Sequence, residues 1–124
     1  MTRAKAEADI TKGLLGLELY VIETGPARSE RTLAVLPDHI EHQIRLEKEG
    51  ILFAAGPLFP EGADVPSKGM IVIRAESFAD AKRIADSDPF HAQGIRTYTI
   101  RRWVVNEGSM TARICLSDQS VVFR

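Results

Sequence analysis

Met70-Ile71-Val72-Ile73 is apolar at four consecutive positions. Side chains alternate between the two faces of a strand, so a strand without a polar position needs cover on both faces. Ile51-Leu52-Phe53-Ala54-Ala55, just before Gly56-Pro57, has the same character. Two such strands in one short chain require a sheet that is covered on each side. Leu17-Glu18-Leu19-Tyr20-Val21-Ile22 alternates apolar and mixed residues and reads as a first strand, ended by Gly25-Pro26. Thr97-Tyr98-Thr99-Ile100-Arg101 reads as the fourth.

Two amphipathic helices fall between these strands. The first is placed from Pro37 to about Glu49, with proline in the first turn, where its missing donor is harmless. Asp38 complements the positive helix end. Leu36, Ile40 and Ile44 form its apolar stripe, and Gly50 ends it. Projected at helical spacing, His39 lies at the margin of that stripe and His42 points further toward solvent. Residues 26–35 read as irregular chain or one short helical turn. Ser77 and Asp80 match a capping box that opens the second helix. Phe78, Ala81, Ile84 and Ala85 are its buried stripe, and Pro89 stops it. Residues 91–95 then turn into the fourth strand.

The order is strand-helix-strand-strand-helix-strand. This is the split βαβ, ferredoxin-like arrangement of an α+β fold, with an antiparallel sheet and both helices on one face. The other face also carries apolar residues, so a second copy is the economical cover. The expectation is a homodimer with two sheets face to face, a dimeric α+β barrel. Residues 1–16 form an N-terminal arm or short helix, 17–103 the core domain, and 104–124 a C-terminal extension. The extension reads as a β-hairpin, Ala112–Leu116 and Val121–Phe123, in the same domain. Residues 57–69 hold three prolines and two glycines and form a long loop suited to lie over a pocket mouth.

Charge excludes some partners. The 124 residues balance 16 basic against 17 acidic side chains, for a net charge of −1. No basic excess suits a nucleic-acid backbone and no polybasic run suits an anionic membrane. No segment has the length of a membrane span and no secretory leader opens the chain, so the cytoplasm is the expected location. The lone cysteine, Cys115, lies in a strand-like run and reads as a buried structural thiol.

His39 and Asp88 are the candidate catalytic residues. Histidine titrates near neutrality and can give and take a proton within one turnover. A nearby carboxylate fixes its tautomer. Asp88, after the last turn of a helix, faces a negative dipole end, an unfavourable position that often marks function. From the residues alone a histidine beside an apolar stripe is more often a packing residue, and a turn-capping aspartate stays open. His39-x-x-His42 with Asp88 and His91 contains metal-binding residue types, but His42 is placed outward, and no metal ligand is assigned. Gly56 and Pro57 either turn the chain after the second strand or bring backbone close to a substrate. Phe90 is grouped with them at the pocket, although core packing is its plainer role.

Leu36-Pro37-Asp38-His39-Ile40, Leu46 through Gly50, Ala55-Gly56-Pro57, Asp88-Pro89-Phe90 and Gly94 together resemble the YciI-like (YCII-related) family of the dimeric α+β barrel superfamily. The resemblance covers residues 17–103. It implies a site built on His39 and Asp88 and acid-base chemistry on a small organic molecule: isomerisation, elimination such as dehydrochlorination, or hydrolysis. It implies no cofactor. The family often has arginine where this chain has Leu36, and His91 is not in its pattern. The rival reading is a non-catalytic module that binds a small ligand or a protein partner.

Overall fold

The computed structural model describes residues 2–26 and 30–123. Chain order is α1 (Arg3–Thr11), β1 (Leu17–Gly25), α2 (Thr32–Lys48), β2 (Leu52–Leu58) and β3 (Lys68–Ile73). α3 (Phe78–Asp86), α4 (Pro89–Ala92), β4 (Thr97–Val105), β5 (Ala112–Cys115) and β6 (Ser120–Phe123) follow. Two units divide the chain: Glu18–Val104, and Met1–Leu17 with Val105–Arg124.

In the larger unit the sheet order is β2-β3-β1-β4, with β1 and β2 both antiparallel to β3. This is the expected ferredoxin-like α+β arrangement. Alternation decides its two faces. Tyr20 and Ile22 pair with Ile73 and Ile71, and all four join the core beneath Leu46 of α2 and Ala81, Ile84 and Ala85 of α3. Leu19, Val21 and Glu23 therefore point the other way, with Met70 and Val72. Leu19 and Val72 are buried there, while Trp103 on the same face of β4 keeps 41% of its surface exposed. Glu23 holds Lys68 at 3.1 Å and Arg101 at 2.9 Å.

Several boundaries differ from expectation. α2 begins five residues before Pro37, which lies inside it. The turn ahead of the proline is helical because the absent N–H removes a single bond near the helix start, where several donors are unpaired anyway. Residues 27–29 of the stretch expected to be irregular lie outside the described residues. The stripe Leu36, Ile40 and Ile44 is 37, 47 and 46% exposed, while Val35, His42, Gln43 and Leu46 are buried. His42 thus faces inward, not toward solvent. Phe78 is also exposed and meets Tyr20 edge-on at 5.1 Å.

Strand β2 runs through Gly56 and Pro57, which pair with Met70 and Gly69, so they do not form a turn. Proline is tolerated because β2 is an edge strand. The irregular loop is correspondingly shorter and begins after Leu58. Helix ends follow the expected chemistry better. Ile51 N–H returns to Leu46 O at 2.9 Å and Gly50 N–H to Glu47 O at 3.1 Å, closing α2 with Gly50 at φ +77°. Ser77 Oγ accepts from Asp80 N–H at 3.0 Å, and Asp80 accepts from Glu76 N–H at 3.1 Å, one residue earlier than a regular capping box.

In the smaller unit, Thr2 caps α1 by accepting from Lys5 N–H at 3.2 Å. α1 buries no residue. β5 and β6 pair as an antiparallel hairpin. Cys115 is half-buried in it, not the buried thiol expected.

Candidate active site

Pro89 sets the local geometry. It forces Asp88 out of helical conformation, to φ −64° and ψ 129°, and makes it the N-cap of α4. Asp88 Oδ1 accepts Phe90 N–H at 2.9 Å. The expected dipole conflict at the end of α3 is therefore answered: the carboxylate sits at the positive start of the next helix. Gly94, at φ +69°, reverses the chain after one turn. Ile95 and Arg96 N–H then both reach back to Phe90 O, at 2.9 and 3.1 Å. This return lays the Arg96 guanidinium over the Phe90 ring, 4.1 Å from its centre.

His39 comes to the same place from α2. Its Nδ1 lies 2.8 and 3.0 Å from the two Asp88 oxygens, and its ring stacks on Phe90 at 4.5 Å. Burial by itself would raise the Asp88 carboxyl. The His39 hydrogen bond and charge, with Phe90 N–H, outweigh it and hold the group below the usual carboxylate range. An ionised carboxylate only accepts, so Nδ1–H donates. Nε2 is then the free nitrogen of His39, and no partner to it occurs among the described residues.

A cleft of about 850 Å³ opens beside this pair. His39, Arg96 and the exposed stripe Leu36, Ile40 and Ile44 line it, facing β2 and the start of β3. The stripe is apolar because it walls the cleft, not because it enters the core. Gly56 and Pro57 line the cleft from β2, and Val65, Pro66 and Ser67 of the long loop close over one side. Phe90 does not line it. It is fully buried behind His39 and Arg96 as their support, since the turn at Gly94 places the arginine over its ring.

The other two histidines are held elsewhere. His91 Nδ1–H donates to Ala85 O at 2.7 Å, and Thr24 Oγ1 donates to its Nε2 at 2.6 Å. His42 Nε2 donates to Ser87 Oγ at 3.3 Å, whose own proton goes to Ile84 O. Among the described residues no group of three metal-ligating side chains converges. Burial pushes both His42 and His91 below the ordinary histidine value. Between the lowered values and ~6.5 the unfolded chain binds more protons than the folded one, so stability falls as pH falls. Asp88 adds a second loss, confined to pH below ~3.9. Urea denaturation at pH 7 and pH 5 should give a lower midpoint at pH 5. Equal midpoints would contradict these assignments.

Arg96 is the cleft residue that sequence reasoning missed. It falls between the turn read over residues 91–95 and the strand read from Thr97, and nothing in spacing or periodicity marks it. Burial lowers its pKa, opposed by the Asp88 charge, and a guanidinium stays cationic at any working pH.

A ferredoxin-like α+β domain thus carries a histidine-aspartate pair on an apolar cleft. The YCII-related domain matches residues 18–104, and the chain belongs to that family. Among solved structures, it is similar to the 5-chloro-2-hydroxyhydroquinone dehydrochlorinase of Burkholderia phenoliruptrix, in complex with 2,5-dihydroxybenzoquinone. The TM-score is 0.53 at 20% identity, over 68% of this chain and 92% of that one. No curated protein matches. Among the described residues no helix is long and apolar enough to cross a membrane.

Proposed function

We propose that this protein is a small acid-base enzyme in which His39 Nε2 exchanges a proton with a small organic molecule held in the cleft. Asp88 holds the tautomer and stabilises the imidazolium formed when Nε2 takes up the proton. The reaction class is isomerisation, elimination or hydrolysis. One observation carries this reading: Nδ1 is fixed by a buried carboxylate while Nε2, on a ring that lines the cleft, is left without a protein partner. The apolar stripe of α2 supports an organic ligand, because such side chains line binding clefts and would otherwise face water unpaired. A turnover screen should begin with hydroxylated and chlorinated aromatics, since the structurally similar dehydrochlorinase acts on such a compound. Any hit should be lost in His39→Asn. Binding without turnover across the panel would favour the non-catalytic module.

The second sheet face supports a homodimer. Trp103, Val21 and Met70 lie on it with only partial cover in one chain. Isologous packing of two such faces would bury them. Sedimentation at micromolar concentration should return the mass of two chains, and Trp103→Glu should shift it toward one. A sharp single-chain mass for the unmodified protein would refute this arrangement.

A further inference from the structure

We infer that Arg96 makes the cleft a site for a small apolar molecule bearing an anionic oxygen. The inference rests on the acid-base reading of the same cleft and adds the chemistry of what enters it. Arginine carries five N–H donors and ordinarily finds acceptors for them when partly buried. Among the described residues the Arg96 side chain makes no hydrogen bond and no ion pair, and its Nε is buried without a partner. Its one recorded contact is the Phe90 ring at 4.1 Å.

The neighbouring acceptors are engaged elsewhere. Asp88 Oδ1 takes Phe90 N–H and His39 Nδ1–H, and Oδ2 takes His39 Nδ1–H. The Thr24 hydroxyl is tied to His91. Lys68, the other cation lining the cleft, is already paired with Glu23. Arg96 is therefore the cleft cation whose whole side-chain donor set is unpaired among the described residues.

Gly69 lies next to it and packs tightly on Thr24. A Cβ there would stand 2.9 Å from Thr24 Cγ2 and 3.8 Å from Arg96 Nη1. The cleft wall at that point is bare β3 backbone beside a guanidinium. His39 and Arg96 both pack on the Phe90 ring, at 4.5 and 4.1 Å, and both line the cleft, where one ligand can meet the two. The anionic oxygen is held by Arg96 while His39 Nε2 addresses the reacting proton. Leu36, Ile40 and Ile44 take the apolar remainder.

The test uses benzoate and its uncharged counterpart benzamide, titrated into the full chain at pH 7.5 by calorimetry. Benzoate should bind about tenfold or more tightly than benzamide, as a charge-assisted hydrogen bond to a guanidinium implies. Arg96→Gln should erase that preference. In the unmodified protein the Arg96 Nε–H resonance should move with benzoate and stay still with benzamide, a readout that requires no variant. Absence of benzoate binding, equal affinity for the two compounds, or a preference that survives Arg96→Gln overturns the inference. His39→Asn separates this from the catalytic reading: it should keep the benzoate preference, whether or not His39 proves to turn over a substrate.

Discussion

Phe90→Ala is expected to destabilise the protein by about 3–5 kcal/mol, the usual loss when a fully buried aromatic ring leaves a cavity. For a domain of this size the melting temperature should fall by roughly 10–20 °C. The effect has three parts. Phe90 is among the largest fully buried side chains, so the transfer and cavity losses are near their maximum. Its ring also supports His39 at 4.5 Å and Arg96 at 4.1 Å, and both would lose their positions. Its backbone, which fixes Asp88 and receives Ile95 and Arg96, is unchanged by the substitution, so α4 should persist. Phe90→Leu should recover more than half of the loss. A melting temperature within 2–3 °C of the unmodified protein, under ~1 kcal/mol, would show that Phe90 is not the support described.

The same residue shows where sequence reading succeeds and fails. Strand-helix-strand-strand-helix-strand order was legible because each element has its own period and its own stop. Gly50 and Pro89 end helices for backbone reasons that no tertiary contact overrides. The face of α2 was not legible. Its apolar stripe, Leu36-Ile40-Ile44, walls a cleft, and its buried face, Val35-His42-Gln43-Leu46, carries a histidine, with half-buried His39 between the two. Hydrophobic periodicity finds a face that avoids water; it does not say whether protein or ligand provides the cover. The polar members of the buried face are masked because their partners, Asp88 and Ser87, come from α3's far end and the turn after it. Gly56-Pro57 failed for a related reason. The dipeptide signals a turn in isolation, but an edge strand accepts it. Arg96 was invisible because its position follows from the Gly94 reversal, a local geometry that brings no charge pattern with it.

For His39 the choice of substitution decides what is learned. His39→Ala removes Nε2, but it also strips Asp88 of its main donor. That carboxylate is 2% exposed and would keep Phe90 N–H as its sole recorded partner. Burial would then dominate and push its pKa up, and the folded state would lose a substantial part of the ~3–5 kcal/mol typical of breaking a buried pair. Lost activity in that variant would confound chemistry with folding. Asparagine avoids the problem, because its side-chain N–H₂ reaches nearly the position of Nδ1–H and retains a donor to Asp88. It has nothing at the place of Nε2. His39→Asn should therefore melt within a few degrees of the unmodified protein and lower kcat by about 10²–10⁴-fold on any substrate that the turnover screen identifies. Asp88→Asn should do the converse: Nε2 remains, but the imidazolium formed on proton uptake loses its stabilising charge. Its turnover should fall less than that of His39→Asn. Full activity in folded His39→Asn would remove the histidine from the mechanism and leave the cleft as a binding site.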